Sequence, residues 1–580
     1  MNLQYFTQFR LNPMAFLLRL VPASARLLLL ALSALVSVLL ILVFRSGLET
    51  LEESLGALGW TLSPDTIVEE RITLVVIDEK SVAEVGRWPW PRAKMAELVQ
   101  AIDQAGAQLQ IHDINYPESS AGDDQLLAAL QTAGESSSGA VLAQLPVLLS
   151  SQPAQAGLMT HPLTGVSCAP GQKLGLASTQ SYVASHSGFA SIAKGHIAAI
   201  VANDGAVRQI PAVICVEGSA YPALSIAALL QLGGGSQWTA TIEAGSSPLD
   251  SAFVLSLDAF PGLDIPLDDG GNLRISYANE PSVYRALSAV DVLNGTVDLG
   301  LLDNTVALLG VTATGTGDIV PTPYSGAALG VELQARLLSS LLDAEIPYTP
   351  RSSMGLLGLL SLAFAVALYL LSTIRGRLAA YGLPLATLLL PLLALSLHVQ
   401  LLNIFNLWLG WIFPAIYGFC AASMLLLLEQ SRVRTERSRV YGNLNSYLPG
   451  DIAKEIAYSL PSSSINARRC DVTLLNADLR NFSAFGEARP PEESAAVLHY
   501  FFTRATDIVE QHGGRVHEFK GDSVLAVWDG NDQQAAQQAL KAGQAMQAAL
   551  YHNFLPEHAP AGLEPMALGI GIEQGPVLIG

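Results

Sequence analysis

The feature that most constrains this chain is a set of long apolar runs. Residues 27–44 are 18 consecutive uncharged and mostly apolar positions, about the minimum for a helix that crosses a membrane. A second apolar zone at 352–428 is interrupted by arginines at 375 and 377 and by the polar stretch HVQLLNIFN, so it is long enough for three more spans. The sequence therefore predicts four transmembrane helices, at 27–44, 352–374, 378–397 and 407–428.

Charged residues on the flanks orient these helices. Arg10, Arg19 and Arg26 precede the first span, and a group of arginines at 432–439 follows the last. Because basic flanks stay in the cytoplasm, residues 1–26 and the chain from 429 onward are expected inside, and residues 46–350 outside. A cleaved signal peptide is the alternative, but the N-terminal segment is too long for one and RSGLETLEE has no convincing cleavage site.

Charge is divided unevenly along the chain. Residues 46–350 hold 32 acidic and 11 basic residues, a net charge of −21, and the remainder holds 18 acidic and 20 basic residues, a net charge of +2. The overall charge of −19 argues against a protein that binds nucleic acid by neutralising phosphates, so we expect no nucleic-acid partner.

The cysteine count excludes a disulfide-built scaffold, because 580 residues contain only four cysteines. Cys168 and Cys215 are the two in the outside segment, where an oxidising compartment permits a disulfide. The sequence does not show that they are close, so a disulfide and two free thiols are both open.

Within residues 46–350, strand-like and helix-like segments alternate. ITLVVIDE, LQIHDI and NTVALLGV are continuous apolar runs typical of buried parallel strands, and MAELVQAIDQAGA and ELQARLLSSLL have helical spacing. This alternation predicts an α/β domain. Three polar residues lie at strand ends or in loops, where α/β sheets bind ligands: Asp78, Arg92 and Asp113. A structural role, in which they cap helices and hold loops in place, explains them more simply. Trp88 and Trp90 are expected to be structural.

The same segment resembles a known sensor family. VVIDEKSVAEVGRWPWPRAKMAELVQAIDQAGAQLQIHDI, GDDQLLAAL and DNTVALLGVTATGTGDIVPTPYSGAALGVELQA look like the extracytoplasmic sensor domain of the CHASE family, type two. The resemblance covers most of 46–345 and implies a receptor with one helix before the sensor and three after it. It implies a multi-pass protein of a bacterial inner (plasma) membrane, and it does not identify the extracytoplasmic signal.

The last segment predicts a small domain with two carboxylates at neighbouring strand ends. VTLLNAD is a strand-like run that ends at Asp478, and RVHEFKGDSVLAVW predicts a β-hairpin with Asp522 at its tip. A well-marked helix lies between them. Two carboxylates beside a turn of backbone N–H groups suit magnesium and phosphate. Taken alone, either aspartate is explained more simply as a turn residue after a strand.

The surrounding residues give those aspartates a family context. NADLRNFSAF, HGGRVHEFKGDSVLAVW and GIGIEQGPVLIG together resemble the class III nucleotide cyclase catalytic domain. The resemblance implies an α+β ferredoxin-like (palm-type) domain at 466–580, preceded by a coupling element at 429–465 that contains YGNLNSYLP. Because the family's active sites form between two domains, it also implies a homodimer through the cyclase and membrane regions.

The resemblance also assigns roles to residues. It implies two magnesium ions per active site, with manganese as a substitute, held by Asp478, Asp522 and the main chain of Leu479. It further implies that substrate is bound by Asn481, Phe482, Ser483 and Glu518, of which the first three form the triphosphate cradle.

Two departures from the family pattern bear on function. Glu518 stands four residues before Asp522, where adenylate cyclases commonly carry Lys and guanylate cyclases carry Glu. The family's Asn and Arg that stabilise the transition state, and its second base-selecting residue, would follow Gly580. The sequence is therefore interpreted as ending inside the cyclase domain, and residues 1–580 are expected to be inactive by themselves.

The leading hypothesis is a transmembrane receptor adenylate cyclase that converts ATP into 3′,5′-cyclic AMP and pyrophosphate. GTP is the alternative substrate, because an ionised Glu518 can accept hydrogen bonds from guanine and cannot donate them to adenine. A sensor with a degenerate, non-catalytic cyclase domain is the third hypothesis, and retention of both aspartates argues against it. A diguanylate cyclase is disfavoured, because Gly513 and Gly514 precede the hairpin and do not form its turn.

Overall fold

The computed structural model describes residues 22–136, 138–148, 154–169, 174–234, 237–315, 319–322, 328–374, 377–445, 468–553 and 567–579. The chain divides into two compact units, one from Arg19 to Leu426 and one that contains Leu427 to Gly580. Residues 1–21 of the N-terminal segment expected at 1–26, residues 375–376 of the arginine turn and residues 446–465 of the coupling element expected at 429–465 lie outside the described residues.

The first unit combines apolar helices with an α/β domain. Its helices are α1 (Pro22–Val43), α2 (Arg45–Gly56), α3 (Leu58–Leu62), α4 (Glu79–Val85), α5 (Arg92–Gln104), α6 (Asp123–Ser136), α7 (Leu224–Leu232), α8 (Ala289–Asn294), α9 (Gly330–Leu342), α10 (Ser353–Thr373), α11 (Arg377–Phe405) and α12 (Ile412–Asn445), the last continuing past the end of the unit. Its strands are β1 (Ile72–Ile77), β2 (Leu109–His112), β3 (Ala140–Pro146), β4 (Gln155–Ala156), β5 (Ser178–Thr179), β6 (Tyr182–Val183), β7 (Ala193–His196), β8 (Ile200–Val201), β9 (Val207–Pro211), β10 (Val213–Val216), β11 (Ser219–Pro222), β12 (Ala240–Ala244), β13 (Phe253–Leu257), β14 (Asp264–Leu267), β15 (Asn272–Arg274), β16 (Arg285–Ser288), β17 (Val306–Val311), β18 (Ile319–Val320) and β19 (Ala328–Leu329).

Four of the described helices, α1, α10, α11 and α12, are long and apolar enough to cross a membrane. Large apolar side chains such as Leu35 of α1 and Leu388 of α11 are exposed on their outer faces. Lipid tails are the solvent that such faces require. The four-helix part of the expected fold class is therefore confirmed.

The polar break expected before the fourth span is not a break in the helix. α11 continues through HVQLLNIF and ends at Phe405, and Asn406 then adopts a positive φ of 54°. The polar side chains in this stretch have partners outside α11, since Asn403 donates to the carbonyl of Gly59 at 3.2 Å and His398 Nδ1 lies 2.5 Å from the carbonyl of Leu409. With these partners, polar residues are accommodated without ending the helix.

The α/β domain is built on a parallel sheet, as expected from the continuous apolar runs. β1 pairs in parallel with β16 and β17, β17 pairs with β2, β2 with β3, and β3 with β7. Val75 and Ile77 of β1 pack in the core cluster that contains α5 and α6, whereas Ile72 and Leu74 pack in the cluster that contains α7 and α9. Burial on both faces explains why the strand sequences are apolar throughout and do not alternate.

A polar junction joins α2, which follows the first membrane helix, to this domain. Glu53 of α2 accepts two hydrogen bonds from the guanidinium of Arg274 in β15, at 2.8 and 2.9 Å. The same guanidinium lies 3.9 Å from the ring centroid of Trp408, which follows α11. A bidentate ion pair that also stacks on an aromatic ring fixes its partners in orientation as well as distance. These contacts therefore tie β15 to α2 and to the segment between α11 and α12.

The structure joins Cys168 and Cys215 by a disulfide, with their Cα atoms 5.8 Å apart. Cys215 lies in β10, which pairs with β5 and β11. The two cysteines are 47 residues apart in sequence, and in the chain-entropy model closing such a loop stabilises the fold by about 4 kcal/mol. Cys420 and Cys470 are not in a disulfide.

Two of the loop residues considered from sequence have structural roles. Asp78 caps α4, because its Oδ1 accepts from the backbone N–H of Ser81 and from the hydroxyl of Ser288, both at 2.8 Å. Trp90 is buried and donates from Nε1 to the carbonyl of Gly86 at 2.9 Å. The capping interpretation of Asp78 and the structural interpretation of Trp90 are therefore confirmed.

Two buried histidines make the stability of this unit sensitive to acid. His112 ends β2 and His196 ends β7, and neither imidazole has a hydrogen-bond partner among the described residues. Burial lowers the pKa of His112 to about 4 and the pKa of His196 to about 3, from 6.5 in the unfolded chain. Since the folded pKa lies below the unfolded one, stability is complete above about pH 6.5 and is lost as the pH falls towards 3–4.

We expect the thermal unfolding midpoint of the detergent-solubilised protein to decrease as the pH is lowered from about 7 to about 5. Over that interval, each of the two histidines should lower the free energy of unfolding by roughly 2 kcal/mol. Replacing both with Leu should flatten this dependence, and the same change at the exposed His499 should not alter it. A midpoint that falls equally in wild type and in the double variant would contradict the assignment.

Candidate active site

The second unit contains a four-stranded sheet with its long helices on one face. Its further elements are β20 (Arg468–Arg480), α13 (Phe482–Glu487), α14 (Pro491–Gln511), β21 (Arg515–Lys520), β22 (Ser523–Asp529), α15 (Gln533–Asn553) and β23 (Ala567–Ile579). The strand order is β21-β22-β20-β23 and every pairing is antiparallel. A β-α-β-β-α-β chain in this order is the ferredoxin-like arrangement, so the fold class expected for this domain is confirmed.

The alternation of β20 places Asp478 on the face of the sheet that the helices leave open. Leu475, Ala477 and Leu479 are buried against α14 and α15, whereas Asp478 and Arg480 are exposed. Successive side chains of a strand point to opposite faces, so a strand with one buried face fixes which residues remain accessible. Asp478 is accessible for this reason.

The hairpin between β21 and β22 brings Asp522 next to Asp478. Lys520 pairs with Ser523, so Gly521 and Asp522 form a two-residue loop, and Gly521 has a φ of 62° as in type II′ turns. Ser523 is in turn the register partner of Asp478. The backbone N–H of Leu479 donates to the carbonyl of Asp522 at 3.3 Å, which ties the loop to the end of β20.

Both carboxylates are accessible. Asp478 is exposed and Asp522 half-buried, and neither forms an ion pair within the part of the chain that the structure describes. No cluster of three or more His, Cys, Asp or Glu side chains suited to a metal occurs among the described residues, so the protein offers two carboxylates here. Magnesium is characteristically bound by one or two carboxylates, with water and substrate phosphates completing its shell. The donor set therefore fits magnesium.

The residues expected to cradle phosphate begin a short helix directly after Asp478 and Leu479. Asn481 has a left-handed φ of 62° and its carbonyl accepts from the N–H of Phe485 at 3.0 Å, while Phe482 and Ser483 start α13. The rings of Phe482 and Phe485 stack with centroids 6.2 Å apart and anchor the turn. The first N–H groups of a helix have no intrahelical acceptor, which is the property that a phosphate-binding turn needs.

Glu518 lies on the same open face, two strands away from Asp478. It pairs with Leu525 of β22, which pairs with Asn476 of β20. A β-bulge between Val516 and Glu518 allows Val516 to stay buried while Glu518 is exposed. Two strand spacings and a two-residue step place the Cα atoms of Glu518 and Asp478 roughly 12 Å apart.

Two cationic residues on this face were not singled out from the sequence. Arg480 lies two residues after Asp478 in β20, and Lys520 lies two residues after Glu518 in β21, and both are exposed. The available signal was the period of two within each strand, which puts these cations on the same side as the acids. Once the hairpin register is known, they flank the two aspartates.

An α/β domain framed by apolar helices, followed by a ferredoxin-like domain with accessible paired carboxylates, defines a multidomain membrane signalling protein. The model of the CHASE2 domain matches residues 34–372, and the model of the adenylate and guanylate cyclase catalytic domain matches residues 466–580. The chain belongs to the CHASE2 domain family and carries a class III adenylate/guanylate cyclase domain at its C-terminal end. Both resemblances found in the sequence are therefore confirmed.

Two curated relatives match the cyclase end of the chain. Adenylate cyclase 1 of Rhizobium meliloti (strain 1021) is 29% identical over 136 residues, which are 23% of this chain and 20% of that protein. Adenylate cyclase of Anabaena cylindrica is 29% identical over 113 residues, which are 19% of this chain and 22% of that protein. The chain thus spans about a fifth of the length of the relatives it matches.

Similar solved structures are also cyclases. The crystal structure of the guanylyl cyclase Cya2 is 35% identical, with 20% of this chain and 59% of that chain covered and a TM-score of 0.19. The adenylyl cyclase CyaB from P. aeruginosa is 22% identical, with 20% of this chain and 61% of that chain covered and a TM-score of 0.19.

We expect Gly521→Ala to reduce cyclase activity of the full-length protein about tenfold or more, because a Cβ strains the turn that positions Asp522. Gly530→Ala is the matched control: Gly530 also has a positive φ, 100°, and also has open space around it, but it lies at the other end of β22. Both variants should lose about 1–2 kcal/mol of stability, and only Gly521→Ala should lose activity. Equal losses of activity would mean that the turn does not position the site.

Proposed function

We propose that the protein is a receptor nucleotide cyclase that converts ATP into 3′,5′-cyclic AMP and pyrophosphate under control of its CHASE2 sensor. The observation that carries the proposal is the pair of accessible carboxylates, Asp478 and Asp522, at neighbouring positions at one end of the open face of a cyclase-domain sheet. The two curated relatives, both named adenylate cyclases, favour ATP over GTP.

The residues on this face have different roles in the proposed cyclisation. The reaction joins the ribose 3′ oxygen of ATP to the α-phosphorus and releases pyrophosphate. Asp478, Asp522 and the main chain of Leu479 would hold two magnesium ions, which when bound favour ionisation of the 3′-hydroxyl and neutralise the phosphates. The N–H groups of the turn at Asn481–Ser483 bind phosphate oxygens, and the Arg480 and Lys520 cations offset negative charge on the polyphosphate.

The membrane arrangement that we propose follows from the charge on the helix flanks. The acidic sensor lies outside, the cyclase domain lies in the cytoplasm, and the membrane is a bacterial inner membrane. We also propose that the protein acts as a homodimer, because the open face that carries both aspartates is accessible to a second cyclase domain.

Guanylate cyclase activity is the second candidate, and Glu518 is the observation that favours it. The side chain is exposed on the face that carries Asp478. An ionised carboxylate can accept hydrogen bonds from the N1–H and the amino group of guanine, whereas the N1 acceptor of adenine would be left without a donor. Such a mismatch costs about 1–3 kcal/mol, which corresponds to roughly ten- to hundredfold discrimination.

We expect full-length protein with magnesium to form cyclic nucleotide, and Asp478→Asn and Asp522→Asn each to lower the rate about 100-fold or more, because each carboxylate positions the charge that stabilises the transition state. Product identity is established by mass spectrometry. Asp529→Asn is the control, since Asp529 lies at the far end of β22 and its carboxylate is 81% exposed. Near-normal turnover in either site variant would refute the site, and no activity in the wild type would favour the non-catalytic alternative.

We expect wild-type protein to use ATP in preference to GTP, and Glu518→Lys to raise the ratio of ATP to GTP turnover roughly ten- to hundredfold, because Lys can donate to adenine N1. The same substitution at Glu510, an exposed residue of α14 on the helical side of the sheet, is the control. A wild-type preference for GTP would reverse our order of substrates. A ratio that Glu518→Lys leaves unchanged would show that this residue does not contact the base.

A further inference from the structure

The turn between β12 and β13, residues 245–252, is attached to the start of the second membrane helix. Ser352 donates from its backbone N–H and from its hydroxyl to the carbonyl of Pro248, at 3.1 and 2.6 Å. The backbone N–H of Arg351 donates to the carbonyl of Asp250 at 2.7 Å. The apolar part of α10 begins at Ser353, the next residue of the chain. The turn is therefore held at the level where α10 enters the membrane.

The hairpin of β8 and β9 approaches the first membrane helix in a similar way. Ile200 and Val201 line a cavity of about 300 Å³ together with Ser46 of α2. Ser46 follows Val43, the last residue of the apolar part of α1, by three positions. A second segment of the sensor thus lies close to the level where a membrane helix ends.

Both segments carry exposed apolar side chains. Leu249 in the β12–β13 turn is 53% exposed and Val201 at the end of β8 is 61% exposed. Met354, in the first turn of α10, is 88% exposed, and the exposed apolar surface of this helix continues with Leu359 and Leu362. A single exposed apolar side chain is ordinary on a protein surface. These side chains differ in lying where the lipid-facing surface of the helices begins.

The acidic residues beside these apolar side chains have partners within the protein. Asp250 Oδ2 accepts from the N–H groups of Ser246 and Ser247, at 3.0 and 2.7 Å, and from the hydroxyl of Ser246 at 2.9 Å. The carboxylate of Asp204 accepts two hydrogen bonds from the guanidinium of Arg208, at 2.9 and 2.5 Å. An unpaired carboxylate would be repelled by the phosphates of lipid headgroups, and these pairings reduce that repulsion.

Arg351 places a cation with unused donors at the same level. The residue is exposed, and one terminal nitrogen of its guanidinium donates to the carbonyl of Gly245 at 3.0 Å. The side chain makes no ion pair within the described part of the chain. One of its five N–H donors is used, so the planar group is held near the turn with most of its donors available. Guanidinium groups match the geometry of phosphate oxygens.

We propose that these two segments are phospholipid contact sites through which the sensor rests on the membrane surface. Leu249 and Val201 enter the boundary between headgroups and acyl chains, and Arg351 binds a headgroup phosphate. The bilayer is the partner because both segments adjoin the lipid-facing surface of the helices to which they are attached. The inference goes beyond the proposed function and does not use it, so it is tested without an activity assay.

The first test measures contact with lipid directly. Full-length protein with Cys420→Ser and Cys470→Ser, and with one new cysteine at Leu249→Cys or Val201→Cys, is labelled with an environment-sensitive fluorophore and reconstituted into phospholipid nanodiscs. Phospholipids brominated in the upper part of their acyl chains should quench about half or more of the emission at either position, because an apolar group at this boundary lies roughly 5–10 Å deep.

Leu158→Cys is the matched control, since Leu158 is an apolar residue that is 41% exposed. Its N–H donates to the carbonyl of Ser185, whose Oγ accepts from the N–H of Tyr116 beyond the carboxyl end of β2. The chain leaves the sheet towards α10 at the opposite edge, where Ser339 of α9 donates to Glu69, just before β1. Label at this control site should be quenched little. Quenching at Leu249→Cys or Val201→Cys that is no stronger than at Leu158→Cys would overturn the proposal.

The second test concerns the phosphate and uses full-length protein in dodecyl maltoside micelles, whose headgroup carries no phosphate. Added phosphatidylethanolamine and phosphatidylglycerol should raise the thermal unfolding midpoint by about 3 °C or more. Arg351→Gln should require about fivefold more lipid for half of that rise, as expected for one cation at a membrane surface.

Arg87→Gln is the control for this substitution, because Arg87 is also exposed and follows α4 at the carboxyl edge of the sheet. It should leave the lipid requirement unchanged. Inorganic phosphate at the same concentration should not raise the midpoint, which distinguishes a lipid from a free anion. A wild-type lipid requirement in Arg351→Gln, or an equal rise with inorganic phosphate alone, would overturn the assignment of Arg351 to headgroup phosphate.

Discussion

The register of β20 is the constraint on which the candidate active site depends. β20 pairs with β22 and with β23, and these pairings place Asp478 opposite Ser523. Ser523 directly follows the turn residue Asp522. A slip of one residue would bury Asp478 and expose Leu479. That exchange would place an unpaired charge in an apolar core, so the packing of the helices on the other face enforces the position of the carboxylate.

The sensor is organised by a comparable constraint at its sheet. Parallel strands buried on both faces bring several chain segments to one edge, where residues after β2 and β7 and the last residue of β17 line a cavity of about 290 Å³. A different set of contacts, Glu53 with Arg274 and Arg274 with Trp408, links the domain to α2 and to the segment after α11.

Much of the fold and of the candidate active site was predictable from the sequence, because the strongest sequence patterns are local. The four apolar runs, the parallel strands, the hairpin at Gly521 and the alternation of β20 all follow from composition and period. The continuation of α11 to Phe405 did not follow from these patterns, since the polar side chains of His398 and Asn403 are accommodated by carbonyl groups outside this helix, those of Leu409 and Gly59. The bulge before Glu518 and the stacking of Arg92 on Tyr116 are likewise products of tertiary packing.

The most direct test of the account is whether Asp478 and Asp522 act as one metal site. Manganese binding to the full-length protein, measured by electron paramagnetic resonance in the presence of a non-cyclisable ATP analogue, reports this in Asp478→Asn, Asp522→Asn and the double variant. If both carboxylates hold the same ions, each single change should weaken binding about tenfold or more, and the double change should cost clearly less than the sum of the two. Additive losses, or normal binding in either single variant, would contradict a shared site.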